Sequence, residues 1–70
     1  MKVCELISKI LDSYVEIAIN EYKGMKHTGR RYIIEPHAVD CRHIPEDIWN
    51  AEVSMIIPYY DRISIEVEAK

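Results

Sequence analysis

The chain is poor in the residues that staple small proteins together. It has two cysteines, Cys4 and Cys41, in 70 residues, where secreted disulfide scaffolds of this size carry four or more. That argues against a disulfide framework and for two reduced thiols packed as small apolar groups. Long apolar runs are also missing. None approaches the roughly 18 residues that span a bilayer. The N-terminus opens on one lysine and a broken apolar stripe, not on an uninterrupted signal-peptide core. The expectation is a cytoplasmic protein without membrane contact. No Gly-rich phosphate loop follows a strand, and there is no internal repeat, low-complexity tract or linker. No catalytic motif stands out, so the chain reads as a binding module and not an enzyme, with no cofactor.

What remains is ordinary for a globular protein: 49% apolar residues, 30% charged residues and a net charge of −3. Residues 1–70 make one domain. A chain this short buries only about 60–65% of its unfolded surface, so it is marginally stable alone. Lacking disulfides, it would gain most from a partner subunit, and a homo-oligomer, most simply a dimer, is expected.

Val3, Leu6, Ile7, Ile10 and Leu11 fall at i, i+3, i+4, i+7 and i+8, one stripe of an amphipathic helix with its exit near Asp12-Ser13. From Tyr14 the period changes to two, with Val15, Ile17 and Ile19 on one face. Residues 23–29 read as a turn in which Gly24 and Gly29 supply positive φ. A second strand at about 30–35 closes a hairpin, and Pro36 should end the pairing. Residues 38–42 suit a short strand. Ile44-Pro45-Glu46-Asp47-Ile48-Trp49 suits a helical turn, with proline at its start and two acids where the dipole favours them. Val53, Met55 and Ile57 then alternate, as do Ile63, Ile65 and Val67, around a hairpin connection at 58–61. The pattern predicts an α+β fold: an N-terminal helix packed on a small curved antiparallel sheet of four or five strands, with one short helical turn at 45–50. Its expected core is Val15, Ile17, Ile19, Val53, Met55, Ile57, Ile63 and Ile65.

The sharpest local signal is another absence. Residues 23–31 hold Lys23, Lys26, His27, Arg30 and Arg31 and no acid, while the rest of the chain has five basic and twelve acidic residues. A hairpin of about +4 projects from a body of about −7. Tyr22 and Tyr32 flank it, and basic residues beside aromatic faces suit phosphate contacts and base stacking. Lys23, Lys26, His27, Arg30, Arg31 and Tyr32 are thus candidates for contact with nucleic acid, a nucleotide or an acidic protein surface; the plain alternative is a solvated turn. Trp49, Tyr59 and Tyr60 are candidate partner anchors, since Trp and Tyr dominate hot spots, although such a Trp more often plugs a small core. His37, Cys41 and His43 share parity and carry zinc-compatible atoms, but their spacing matches no zinc pattern, so no metal site is expected. Cys41 and His43 evoke a nucleophile and base without an oxyanion hole or an orienting third group.

Glu5-Leu6-Ile7 in an opening helix, Val15-Glu16-Ile17 in a strand, Ile44-Pro45-Glu46-Asp47-Ile48, and Asp61-Arg62-Ile63-Ser64-Ile65-Glu66-Val67 resemble a class of tiny proteins encoded by phages and prophages of Gram-positive bacteria. The resemblance touches both ends of the chain and leaves residues 23–42 uncovered. It implies a cytoplasmic protein of the bacterial host that inhibits a host defence system by stoichiometric binding, as anti-CRISPR proteins do. Tyr22-Lys23-Gly24, Arg30-Arg31 and Ile34-Glu35-Pro36-His37-Ala38-Val39 look like the first hairpin of WYL-type, Sm-like ligand-sensing domains. That second resemblance implies binding of nucleic acid or nucleotides through basic and aromatic residues.

Overall fold

The opening apolar stripe forms a helix, α1 (Val3–Ile10), that buries Val3 and Ile7. Two contacts fix its start: the Lys2 N–H donates to the Glu5 carboxylate at 2.9 Å and the Val3 N–H to the Ala51 carbonyl at 2.9 Å. This computed structural model describes residues 1–10, 14–37 and 41–69. The expected helix exit at Asp12-Ser13 lies outside the described residues. β1 (Glu16–Lys23) and β2 (Lys26–Ile34) form an antiparallel hairpin. A short helix, α2 (Glu46–Trp49), follows Pro45, and β3 (Val53–Pro58) and β4 (Arg62–Glu68) form a second hairpin. No described helix is long and apolar enough to cross a membrane.

The α+β expectation holds, with a helix on one side of a four-stranded sheet and one short helical turn. The all-antiparallel expectation is corrected. The strand order is β2-β1-β4-β3, and β1 pairs with β4 in parallel, Ile17 beside Ile63 and Ile19 beside Ile65. Alternation marks each strand but carries no information about its partner, so a parallel join between two hairpins leaves no local trace. The strand expected at 38–42 falls partly outside the described residues, and Cys41 and Arg42 belong to no strand.

The hairpin is longer than the composition suggested. Lys23 pairs with Lys26, so the turn is only Gly24-Met25, and most of residues 23–31 are strand. Gly24 takes φ 63° there, and Gly29 takes φ 96° where Thr28, Gly29 and Arg30 together oppose Glu21 in a bulge.

The core is aliphatic. Val3 and Ile7 of α1, Ile17 and Ile19 of β1, Ile34 of β2, Ile44, Ile48 and Ala51 around α2, and Ile65 and Val67 of β4 close one cluster. Of the expected core, Ile17, Ile19 and Ile65 are buried, while Val15, Val53, Ile57 and Ile63 are half-buried. Met55 is 52% exposed, which corrects its assignment to the core. The cause is a register shift between Val53 and Met55. The extra residue turns Met55 and Ile57 to the opposite face and brings Ile56 level with Ile65.

Both helices feed the same face of the sheet. Along the other face, directly paired residues form cross-strand rows. Ile33, Ala18, Ser64 and Ile57 make one row; Arg31, Asn20, Glu66 and Met55 make the next; Glu16 and Arg62 stand side by side at the other end.

Candidate partner-binding surfaces

The bulge at Gly29 organises the basic hairpin. Residues i and i+2 on β1 share a face, so Glu21 follows Ile17 and Ile19 onto the core side, and it is only 8% exposed. A carboxylate in that position requires partners. The bulge supplies two. The Thr28 hydroxyl donates to Glu21 Oε1 at 2.8 Å, and Arg30 Nη1 lies 3.1 Å from Glu21 Oε2. Arg30 also grips Asp47 of α2 with both terminal nitrogens, at 2.7 and 3.0 Å, and donates from Nε to the Tyr32 hydroxyl at 3.1 Å. The Asp47 hydrogen bond raises the Arg30 guanidinium above its ordinary value, and Arg30 holds the Asp47 carboxyl below its own. Beside this triad lies a cleft of about 710 Å³ lined by Glu21, Arg30, Glu46, Asp47, Asn50 and Glu68 among others. With four carboxylates and one guanidinium, it is an acidic cleft.

The six residues grouped as a basic surface therefore separate. Arg30 and Tyr32 tie β2 to α2. His27 receives the Gly29 N–H on Nδ1 at 2.9 Å, so its proton sits on Nε2, 3.1 Å from the Asn20 side-chain oxygen; its ring also meets Tyr22 edge-on at 5.1 Å. Lys23 and Lys26 stand exposed beside the turn, with Met25 bare between them, and Arg31 is exposed on the helix-free face. The Gly24 N–H is held by the Glu68 carboxylate at 2.7 Å, which places an acid next to the lysine pair.

The proposed anchors separate as well. Trp49 is half-buried and packs against the core. Tyr59 and Tyr60 are exposed, Tyr60 completely. They sit in the β3–β4 connection, where the Arg62 guanidinium lies 4.9 Å from the Tyr59 ring centre. Tyr14, also exposed, precedes β1 at the same end of the sheet, because Glu16 pairs with Arg62; its ring meets His37 edge-on at 4.8 Å. Three exposed tyrosines and a stacked arginine thus gather at one end.

Cys4 and Cys41 are not disulfide-bonded. Cys41 is half-buried against the core, and His43 directs Nε2 to the Ile33 carbonyl at 2.7 Å. Among the described residues, no three His, Cys, Asp or Glu side chains are grouped to hold a metal ion.

Sequence reasoning missed Glu21, Thr28 and Tyr14. Glu21 did leave a signal: it is the acid that interrupts Ile17-x-Ile19-x on the inward parity, and such an interruption asks for a cation nearby.

No protein-family model matches this chain, and neither a curated protein nor a solved structure matches it. The class defined by its own geometry is a small α+β domain on a four-stranded mixed sheet.

Proposed function

We propose that the protein is a small non-enzymatic module that works by stoichiometric binding to another protein, through the tyrosine-rich end of its sheet. The observation that carries this reading is the exposure of Tyr14, Tyr59 and Tyr60 beside Arg62. Tyrosine supplies contact area with little rotamer loss, and arginine adds hydrogen bonds and stacking; both are enriched in interface hot spots. A small domain with three of its five tyrosines bare at one end carries surface that its own fold does not use. The resemblance of both chain ends to small phage proteins points to a component of a bacterial defence system as the partner class, and to the host cytoplasm as the location. Contact with nucleic acid through the hairpin is the lesser reading. Its strongest candidate cation, Arg30, is neutralised by Glu21 and Asp47, and the acidic cleft lies alongside.

The test is capture of host protein from a nuclease-treated lysate of a bacterium that carries defence systems, together with phage survival when the protein is expressed. The wild-type chain should retain one host protein in stoichiometric amount and raise phage survival. Tyr59→Ala with Tyr60→Ala should lower both at least about tenfold while the fold persists, since neither ring is buried. Retention or survival that ignores the double substitution, or retention that disappears on nuclease treatment, would overturn the reading.

A further inference from the structure

We propose that the helix-free face of the sheet pairs with the same face of a second copy, about a two-fold axis that runs parallel to β1 and β4 and between them. This surface shares Arg62 with the tyrosine end but rests on other observations than the reading given for that end. Three observations carry the proposal.

The first is that the centre of this face is small and apolar and that neither described helix packs on it. Both helices pack on the opposite side. On this side Ala18 and Ser64 form a floor, 1% and 9% exposed, flanked by Ile33 on one edge strand and by Ile57 on the other, with Met55 beside it at 52% exposure. A sheet with one apolar face already satisfied should alternate to polar on the other. Here the central row is Ile-Ala-Ser-Ile instead.

The second is self-complementarity. β1 and β4 are parallel and in register, so at each level two central residues stand side by side: Glu16 with Arg62, Ala18 with Ser64, Asn20 with Glu66. A two-fold axis along the strands lays β1 of one copy over β4 of the other without changing level. Glu16 then faces Arg62 of the second copy, Asn20 faces Glu66, Ala18 faces Ser64 and Ile33 faces Ile57. Opposite charges meet, the carboxylate meets an amide donor, small meets small and aliphatic meets aliphatic, each contact occurring twice. Glu16 and Glu66 make no ion pair among the described residues, so both carboxylates are available. An axis across the strands would lose this matching, because it reverses the levels.

The third is size. Four strands at about 4.8 Å spacing, each contributing about five residues of about 3.3 Å, present roughly 300 Å² in projection. Counting the relief of both surfaces, the contact approaches the lower end of specific interfaces, about 1,000 Å² in total. Aligned sheets stack about 10 Å apart and within about 30° of each other, which lets the longer side chains of Glu16, Arg62, Ile33 and Ile57 reach, while Ala18 and Ser64 stay beneath the contact. The geometry thus describes a weak, reversible dimer.

The test is the mass of the full chain by sedimentation velocity from about 1 µM to about 500 µM, with circular dichroism to confirm folding. The wild type should pass from the 8.2 kDa chain mass to twice that value. Ile57→Lys or Ile33→Glu alone should shift the midpoint at least about tenfold toward monomer. Ile33 and Ile57 lie on opposite edge strands, three strand spacings or about 14 Å apart within one chain. Combining Ile33→Glu with Ile57→Lys therefore creates no pair inside the chain but two between copies, and it should restore the dimer. A folded wild type that stays monomeric throughout overturns the proposal. So does a dimer that survives either single substitution, or a folded double variant no more dimeric than the singles. Tyr60→Ala alone, which keeps the Tyr59–Arg62 stack, should leave the dimer midpoint unchanged while host-protein retention falls, and Ile33→Glu should do the reverse, so the two readings fail separately.

Discussion

Replacing Gly29 by alanine probes the bulge on which the Glu21–Arg30–Asp47 arrangement depends. Gly29 has φ 96°, and a Cβ built there meets no atom within 4 Å. Steric clash with the surroundings is therefore absent, and only two effects remain. An L-residue forced into positive φ costs about 1–2 kcal/mol. Loss of glycine's freedom in the unfolded chain returns about 0.4–1 kcal/mol. The net is a destabilisation of about 1 kcal/mol, or roughly 4–8 °C in melting temperature for a domain of this size. At 70 residues the chain is within reach of chemical synthesis, and D-alanine at the same position keeps the unfolded-state gain without the penalty. Gly29→D-Ala should raise stability by about 0.4–1 kcal/mol. The two enantiomers would then bracket the natural protein in urea melts, with slopes unchanged. If they gave equal midpoints, or if L-alanine were the more stable, Gly29 would not occupy the left-handed region and the account of the bulge would fail.

Two further substitutions probe the same physics. Asp47 is held below its ordinary range by Arg30, so this pair stabilises the fold above the unfolded carboxyl pKa of about 3.9 and the contribution is lost as pH falls through the lower, folded value; Asp47→Asn should lower the urea midpoint at neutral pH and flatten its decline between about pH 5 and pH 2. Ile65→Ala, at a fully buried position in a central strand, should cost about 2–5 kcal/mol. The total stability expected of 70 residues is only about 4–10 kcal/mol, so thermal melts of that variant should show a protein near the limit of folding.

The fold was legible where side chains report their own burial. The stripe from Val3 to Ile10, the alternation around Ile17 and Ile19, and the proline-led turn before Ile48 each state a local preference that tertiary packing then obeyed. Met55 was misplaced because a single extra residue at Ser54 reverses parity. Nothing about a serine marks a bulge, and only the partner strand reveals it. The parallel neighbours β1 and β4 were invisible for a related reason: pairing is a property of two distant segments, and each alternates the same way whichever direction its neighbour runs. At the candidate surfaces, Tyr59 and Tyr60 could be read as exposed because they lie in a hairpin connection, whereas Trp49 follows a buried isoleucine on a one-turn helix and is drawn toward the core. The basic hairpin misled because charge was counted along the chain. Asp47 is 17 residues from Arg30 and reaches it through space, so an acid-free stretch of sequence became an acid-lined place in the structure.

The order of strands also sets the order of assembly. β4 is made last of the four yet stands between β1 and β3, and its Ile65 and Val67 complete the core. While the chain is being synthesised, the first hairpin can form early, but the inner edge of β1 has no neighbour until residues 62–68 have left the ribosome. The nascent chain must wait with an unpaired strand edge beside an incomplete core, the condition in which strands capture the wrong partner. Closing the sheet then means joining segments 46 positions apart, such as Ile17 and Ile63. Such distant joins slow folding relative to a local meander of equal size. A shortened product ending before Ile63 would therefore be no smaller version of this domain; it would be one hairpin and a lone strand without the strand that joins them.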